Sequence, residues 1–138
     1  MIEKIRALLF FGLALSVIGC KKEGPLSPTK GIYRGVFSKI SDANDTLATG
    51  IAFIAINDAD SSFTMQGDTL SNAPISCNGY FSIIDENYME FNNNAVLGVF
   101  EDPYYILDTV YRYAFLDSTF TLRLDLPRRS YDFNLRRF

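Results

Sequence analysis

From Gly31 to the end of the chain, apolar and polar residues alternate over short runs that turn-forming residues interrupt. In residues 118–126 (STFTLRLDL), the even-numbered positions from 120 carry Phe or Leu, whereas the odd-numbered positions from 119 carry Thr, Arg or Asp. A period of two is typical of β-strands with one buried face, and no stretch here has the longer period of an amphipathic helix. The pattern therefore predicts an all-β fold for residues 31–138.

The alternation predicts eight strands, separated by clusters of Asp, Asn, Gly, Ser and Pro. They cover residues 31–39, 47–57, 62–66, 75–84, 87–92, 104–115, 118–126 and 130–137. Short connections join antiparallel neighbours, because parallel strands need long crossovers. Eight antiparallel strands in chain order can close into an up-and-down barrel, which removes sheet edges. We predict an antiparallel meander closed into a small barrel, with a two-sheet β-sandwich as the alternative.

The first twenty residues have a different character. Lys4 and Arg6 precede an uncharged, almost wholly apolar run over residues 7–19, and Cys20 follows. That run is shorter than the ~20 residues of a membrane-spanning helix, and its length and flanks are typical of a secretory signal peptide. Residues 17–20 (VIGC) resemble a bacterial lipobox, in which cleavage precedes a lipidated cysteine. We predict a signal peptide over residues 1–19 and lipidation of Cys20, with an ordinary signal peptide or anchor as the alternative.

For the next segment, residues 20–30, the sequence predicts a lipidated cysteine followed by a short tether that is rich in proline and charged residues. Lys21 and Lys22 would lie at the headgroups, where each basic residue adds ~1 kcal/mol beside anionic lipid. A lysine rather than an aspartate after the cysteine resembles the lipoprotein signal that permits sorting to the outer membrane. The sequence thus predicts a cell-envelope protein anchored to the outer membrane, on its periplasmic or its surface side.

Composition restricts the chemistry that the chain can perform. Without residues 1–19, the chain has 119 residues with 11 Lys+Arg and 15 Asp+Glu, enough for one domain of net charge −4. This acidic balance argues against nucleic-acid binding. The chain has no histidine, and Cys77 is its only cysteine besides Cys20, which removes histidine-dependent triads and thiolate metal clusters. We predict a non-enzymatic protein with no cofactor and no metal.

Three separated stretches carry motifs whose order and spacing are informative. Residues 31–37 have the pattern GxYxGxF, and residues 75–79 (ISCNG) precede residues 89–92 (MEFN). The last stretch, residues 105–137, ends in a YxFxLxR pattern. Together they resemble a group of small Bacteroidota-type lipoproteins with a lipocalin-like domain. The resemblance spans nearly all of residues 31–138 and implies the barrel and the envelope location, but no disulfide, because the group's second cysteine is absent here.

The barrel interior is the candidate ligand site, and Tyr33, Phe37, Phe53 and Phe120 are the candidate lining residues. An eight-stranded barrel has room for its own side chains or one small ligand. A continuous void lined by these four side chains would favour a small apolar ligand, whereas a packed interior with an exposed apolar patch would favour a protein partner. The predicted function is binding of one or the other, with a structural or inhibitor-like module with a filled core as the alternative.

Other patterns have simpler interpretations. Residues 57–62 (NDADSS) place oxygen atoms at alternate positions, as calcium loops do, but turn chemistry explains the same residues. Eleven acidic residues and no basic one lie between Lys39 and Arg112, and the chain from Arg112 onward has six arginines. We interpret these charges as cross-strand pairs or as solvated surface charges. A hydrolase built on Glu86, Glu90 or Glu101 is the remaining alternative, although the sequence brings no two of them together.

The fourth predicted strand supports a residue-level expectation. Its odd-numbered positions share one face, and they are Ile75, Cys77, Gly79, Phe81 and Ile83. We assign this face to the core. Cys77 should then be a buried, inert thiol, and Gly79 should mark a close approach of two backbones.

Overall fold

Eight antiparallel strands follow one another around the molecule in the computed structural model, which describes residues 30–68, 70, 73–96, 98 and 102–138. The strands are β1 (Gly31–Ser41), β2 (Thr46–Asn57), β3 (Ser62–Gly67), β4 (Cys77–Ile83), β5 (Tyr88–Asn93), β6 (Val110–Leu116), β7 (Thr119–Leu126) and β8 (Arg129–Arg137). A 3₁₀ helix spans Pro103–Tyr105. The predicted signal peptide and the predicted tether up to residue 29, including Cys20, lie outside the described residues.

Each strand pairs with the next, and β8 pairs with β1, so the sheet closes on itself. The closing pair places Phe37 opposite Phe133 and Gly35 opposite Leu135. The predicted antiparallel meander and its closure into a barrel are therefore confirmed. A sandwich would need two separate sheets, so that alternative is wrong.

The two ends of the barrel differ. At one end, which we call the tether end, β1 begins at Gly31 and tight turns occupy residues 58–61, 84–87 and 117–118. Ser61 and Asp117 have positive φ angles of 55° and 53° there, as such turns require. At the opposite end, which we call the loop end, lie the two long connections, residues 68–76 and 94–109. The other two connections at the loop end, residues 42–45 and 127–128, are short, so the two long connections are what distinguish this end.

Aromatic rings form a continuous series of contacts across the barrel interior. Phe37 packs on Phe133 with ring centroids 4.9 Å apart, and Phe133 lies 6.3 Å from Tyr111. Phe91 then contacts Tyr111 at 5.8 Å and Phe63 at 5.0 Å, both edge to face. These five rings come from β1, β8, β6, β5 and β3, and all are buried. Side chains thus occupy the interior from one wall to the other, as the size of an eight-stranded barrel permits.

The sixth strand is shorter than predicted. The sequence predicts a strand over residues 104–115, but β6 begins at Val110. The Asp102 side chain accepts a hydrogen bond from the Tyr104 backbone N–H and Pro103 occupies the first helical position, a combination that starts a helical turn. The other seven strands end within two residues of their predicted limits.

The fourth strand has the predicted orientation. Cys77, Gly79 and Phe81 are buried, and Asn78, Tyr80 and Ser82 are exposed. A Cβ atom on Gly79 would lie 1.9 Å from the carbonyl oxygen of Asn92 on β5. Only glycine allows the two backbones to approach so closely, so both expectations for this strand are confirmed.

Candidate functional site

The four predicted lining residues do not share one space. Tyr33, Phe37 and Phe120 are fully buried in the interior, whereas Phe53 is 37% exposed on the outer wall. β2 has apolar residues on both faces, and the register places Ala52 and Ile54 inside. The predicted interior position of Phe53 is therefore wrong, because alternation alone does not tell which apolar face of β2 points inward.

The three interior residues pack against other protein rings. Tyr33 contacts Phe120 at 5.5 Å and Phe115 at 6.1 Å between ring centroids. Phe37 contacts Phe133 and also Tyr105, from the connection between β5 and β6, at 5.6 Å. Their positions are those of core residues, and ligand binding by them stays a prediction.

The last residues of the connection between β5 and β6 lie across the loop end. We call residues 102–109 the closing segment. Its Ile106 and Leu107 are buried, and the Tyr105 carbonyl accepts a 2.8 Å hydrogen bond from the Ile75 N–H. The Tyr111 hydroxyl donates to the Ile106 carbonyl at 3.1 Å. Because the segment contacts β1, β6 and the residues before β4, it covers the loop end of the barrel.

A polar cluster fixes the start of the closing segment. Lys39 Nζ lies 2.8 Å from Asp102 Oδ2, and the Tyr131 hydroxyl donates to the same oxygen at 2.9 Å. Lys39 Nζ also lies 5.4 Å from the ring centroid of Tyr105 and 5.8 Å from that of Tyr131. We call Lys39, Asp102 and Tyr131 the Asp102 cluster; it joins β1, the closing segment and β8.

Electrostatics at this cluster favour the ion pair. Burial acts to raise the pKa of Asp102, but hydrogen bonds from Lys39, the Tyr104 N–H and Tyr131 outweigh it and hold the pKa below the ordinary value. Burial, together with the hydrogen bond to Asp102, raises the pKa of Tyr131. The carboxylate is therefore ionised and accepts three hydrogen bonds, an arrangement that suits a structural contact better than proton transfer.

Lys39 and Asp102 are not among the functional residues predicted from the sequence. A signal was present, since Lys39 occupies the same strand face as Tyr33 and Phe37, and an inward lysine requires an acidic partner. Its partner, Asp102, is 63 residues away in the chain, so local spacing in the sequence could not identify it.

The Cys77 thiol and the oxygen-rich β2–β3 turn, two other candidate sites in the sequence, have structural roles. Burial raises the pKa of Cys77 to about 11, so its thiol is protonated near neutral pH and unreactive. In the β2–β3 turn, Asp60 accepts hydrogen bonds from the Ser62 N–H and hydroxyl, which is ordinary turn chemistry. Across the described ranges, no group of three or more Cys, Asp or Glu side chains could hold a metal ion. Glu101 lies outside the described residues.

Some of the charged side chains on the outer wall form ion pairs. Arg123 contacts Asp125 at 2.7 Å and Asp132 at 3.4 Å, and Arg112 lies 3.5 Å from Asp125. Arg123 and Asp125 are both on β7, whereas the Arg112–Asp125 and Arg123–Asp132 contacts join neighbouring strands. Part of the arginine-rich C-terminal region therefore forms the predicted cross-strand pairs. Such exposed pairs contribute little to stability.

The outer surface also has depressions and exposed apolar side chains. Three open depressions have volumes of about 300, 440 and 430 Å³, and none of these three is lined by Tyr33, Phe37, Phe53 or Phe120. At the loop end, Leu70 is 92% exposed and Val96 is 97% exposed, and Leu47 at the start of β2 is also exposed. Large exposed apolar side chains of this kind are candidates for contact with another molecule.

Comparisons of this chain with models of protein families, with curated proteins and with solved structures find no match. Within the described part of the chain, no helix has the length and apolar character needed to cross a membrane. The interior, the closing segment and the outer surface of this barrel are therefore the basis for a proposed function.

Proposed function

We propose that this chain is a lipid-anchored cell-envelope protein whose barrel binds a protein partner through its outer surface, without enzymatic activity. The observation that supports this proposal is the series of ring contacts that runs from Phe37 to Phe63 across the interior. Pockets for small molecules usually enclose ~300–1,000 Å³ of space, and here aromatic side chains occupy the corresponding region. A partner bound outside is thus favoured over a small apolar ligand carried inside.

The proposed anchor is the lipidated Cys20, on the outer membrane. The apolar run before VIGC supports it, as does the resemblance of residues 31–137 to small Bacteroidota-type lipoproteins. Residues 21–30 span at most ~35 Å when fully extended, so the tether end would stay close to the bilayer. The loop end would then face away from the membrane.

The proposed partner surface is at the loop end. Leu70 and Val96 extend from the two long connections, and Leu47 lies at the same end. Exposed apolar side chains at the loop end of a barrel are candidates for a protein-binding surface, because burying them against a partner removes apolar area from water. This end of the anchored barrel would also be the more accessible to another envelope protein.

Site-specific photocrosslinking in cells tests the partner surface. A photoreactive residue at position 70 or 96 should capture one discrete protein, identified by mass spectrometry. The control position is Leu116, which is 69% exposed at the tether end. Absence of an adduct from both loop-end positions, or the same adduct from position 116, would contradict the proposed surface.

Metabolic labelling with palmitate tests the anchor separately. The Cys20→Ser variant should lose all incorporation and should accumulate as the uncut precursor. The Cys77→Ala variant, which changes the other cysteine, should incorporate label at the wild-type level. Labelling of Cys20→Ser at the wild-type level would refute lipidation at this residue.

A further inference from the structure

One cross-strand row on the outer wall combines arginines with exposed apolar residues. Along this row, each of the following residues lies opposite the next: Leu116 on β6, Thr119 on β7, Arg136 on β8, Arg34 on β1 and Phe53 on β2. All five side chains are exposed. The row lies towards the tether end, because Leu116 and Arg136 are at or next to the ends of their strands.

The two arginines of this row are directly opposite each other, although like charges in opposite positions destabilise a sheet. The Arg34 guanidinium lies over the Phe53 ring, 5.4 Å from its centroid. Among the described residues, no carboxylate forms an ion pair with Arg34 or Arg136, whereas Arg112 and Arg123 on the same wall do have acidic partners. The row therefore carries positive charge that the barrel itself leaves uncompensated.

More apolar and basic groups lie beside the row. The Phe138 N–H donates to the Ile32 carbonyl at 2.8 Å, which places these two exposed apolar residues together. The Arg137 side chain donates to the Lys30 carbonyl at 2.9 Å, so two further cations are at the same place. We call this surface the basic apolar corner; its members are Ile32, Arg34, Phe53, Leu116, Arg136 and Phe138.

We propose that the basic apolar corner docks the barrel on an anionic lipid bilayer. Arg34 and Arg136 would bind lipid phosphates, since guanidinium groups form paired hydrogen bonds with phosphate oxygens. Leu116, Phe138 and Ile32 would enter the headgroup region, as the apolar side chains of interfacial proteins do. The chain also enters the barrel here, at Lys30, so the proposed anchor holds this surface near the lipid. The inference rests on the proposed lipid anchor.

The charges around the tether end also determine which side meets the bilayer. Asp85 and Glu86 in the β4–β5 turn are on the opposite side of the closed barrel from β8 and β1. Asp58 and Asp60 in the β2–β3 turn are next to the start of β1, because Gly31 lies opposite Ile56. Asp117, in the β6–β7 turn, borders the corner. An anionic surface would repel the carboxylates of these turns, so the barrel would tilt towards β8 and β1, which carry Arg136 and Arg34.

The experiment uses the full chain, purified in detergent and reconstituted into vesicles. A Leu116→Cys variant receives a polarity-sensitive fluorophore, while Cys77 stays unlabelled because it is buried. The vesicles contain phosphatidylcholine alone or phosphatidylcholine with phosphatidylglycerol, and a second sample carries the label at Leu47→Cys. A blue shift at position 116 only, and only with the anionic lipid, is the expected result.

Charge variants show which arginines are responsible. Arg34→Gln with Arg136→Gln should lower the ratio of docked to undocked barrel roughly 30-fold, from ~1 kcal/mol for each basic residue beside anionic lipid. Arg128→Gln with Arg129→Gln makes the same charge change at the loop end and should leave the ratio nearly unchanged. Equal effects of the two double variants, or a blue shift that persists without Arg34 and Arg136, would overturn the proposal.

Two further readouts separate the causes of failure. The intact mass of the reconstituted protein reports whether Cys20 carries lipid, and a protein without lipid would overturn the anchor and this inference together. A lipidated protein whose position-116 label ignores anionic lipid would overturn the inference alone. A response to soluble polyglutamate, without a response to vesicles, would assign the corner to an acidic protein and also overturn it.

Discussion

The tether end and the loop end of this barrel are held by different kinds of contact. Turns of two to four residues close the tether end, and within them Asp60 and Asp85 accept hydrogen bonds from residues two or three positions away. The loop end has connections of nine and sixteen residues, and its Asp102 cluster joins groups 63 and 29 residues apart. Local sequence therefore determines the turns of the tether end, whereas long-range packing determines the closing segment at the loop end.

This difference has a consequence for how the two ends respond to change. A turn that is stabilised by its own residues keeps its shape when a distant contact is lost. The closing segment depends on β1 and β8 for its position, because the ion pair and the rings of Tyr105 and Tyr131 come from separate parts of the chain. Substitutions near the loop end should therefore release the closing segment, while equally large substitutions near the tether end should not.

The largest expected effect is in the core. Phe37→Ala and Phe120→Ala should each lower the free energy of unfolding by about 3–5 kcal/mol, the usual cost of removing a buried phenylalanine ring. Phe37 packs on the Tyr105 ring of the closing segment, whereas Phe120 packs on Tyr33 and Phe115. Phe37→Ala should therefore also increase amide exchange at Ile75, whose N–H is bonded to the Tyr105 carbonyl.

Denaturant unfolding and hydrogen exchange measured on the two variants check this pair. Phe120→Ala is the matched control, because its ring contacts Tyr33 and Phe115 at the other end of the interior. Equal protection of the Ile75 amide in both variants would show that the closing segment does not depend on the core below it.

A smaller effect is expected at the Asp102 cluster. Asp102→Asn should cost about 2 kcal/mol at neutral pH, since it removes a charged acceptor from a half-buried lysine. The pKa of Asp102 is lowered in the folded protein, so its contribution is complete above the unfolded value of about 4 and is lost as the pH falls through the folded value. The stability difference between wild type and variant should therefore shrink below about pH 4.

Denaturation curves at several pH values test this, with Asp60→Asn at the tether end as the control. Asp60 is fully exposed and bonds only within its own turn, so its replacement should have a much smaller effect at every pH. A pH-independent difference for Asp102→Asn would mean that the ion pair with Lys39 does not hold the closing segment.

The smallest expected effect concerns Cys77, near the loop end of β4. Cys77→Ala should cost ~1 kcal/mol, because a small buried side chain loses one atom of contact. With its pKa raised to about 11, the native thiol should react with a labelling reagent only after denaturation. Rapid labelling of the folded protein would place the Cys77 face outside and contradict the described register.

Sequence alone predicts most of this fold because the barrel is made of short, locally punctuated strands. The limits of β7 and β8 follow from alternation and turn residues. The count of eight strands favours closure into a barrel but left a two-sheet sandwich open. Alternation fails in two places for physical reasons. β2 is apolar on both faces, which misplaced Phe53, and the Asp-Pro pair at residues 102–103 interrupts an aromatic run that otherwise looks like a strand.

The candidate sites were less predictable than the fold. The pairing of Lys39 with Asp102, and the position of Arg34 opposite Arg136, depend on the register between strands that are far apart in the chain. A single sequence shows residue types and local spacing, but not which distant residues face each other. The interior residues Tyr33, Phe37 and Phe120 were recognisable as buried, whereas the packing of their rings was not.

The central claim is that side chains fill the barrel, so that binding takes place outside it. Native mass spectrometry of the full chain, purified in mild detergent from its own cells, tests this most directly. We expect the mass of the polypeptide with its anchor and no further small molecule, and solvent extraction of the sample should release none. A small apolar compound retained at one molecule per chain would contradict the account and return the interior to the role of a ligand site.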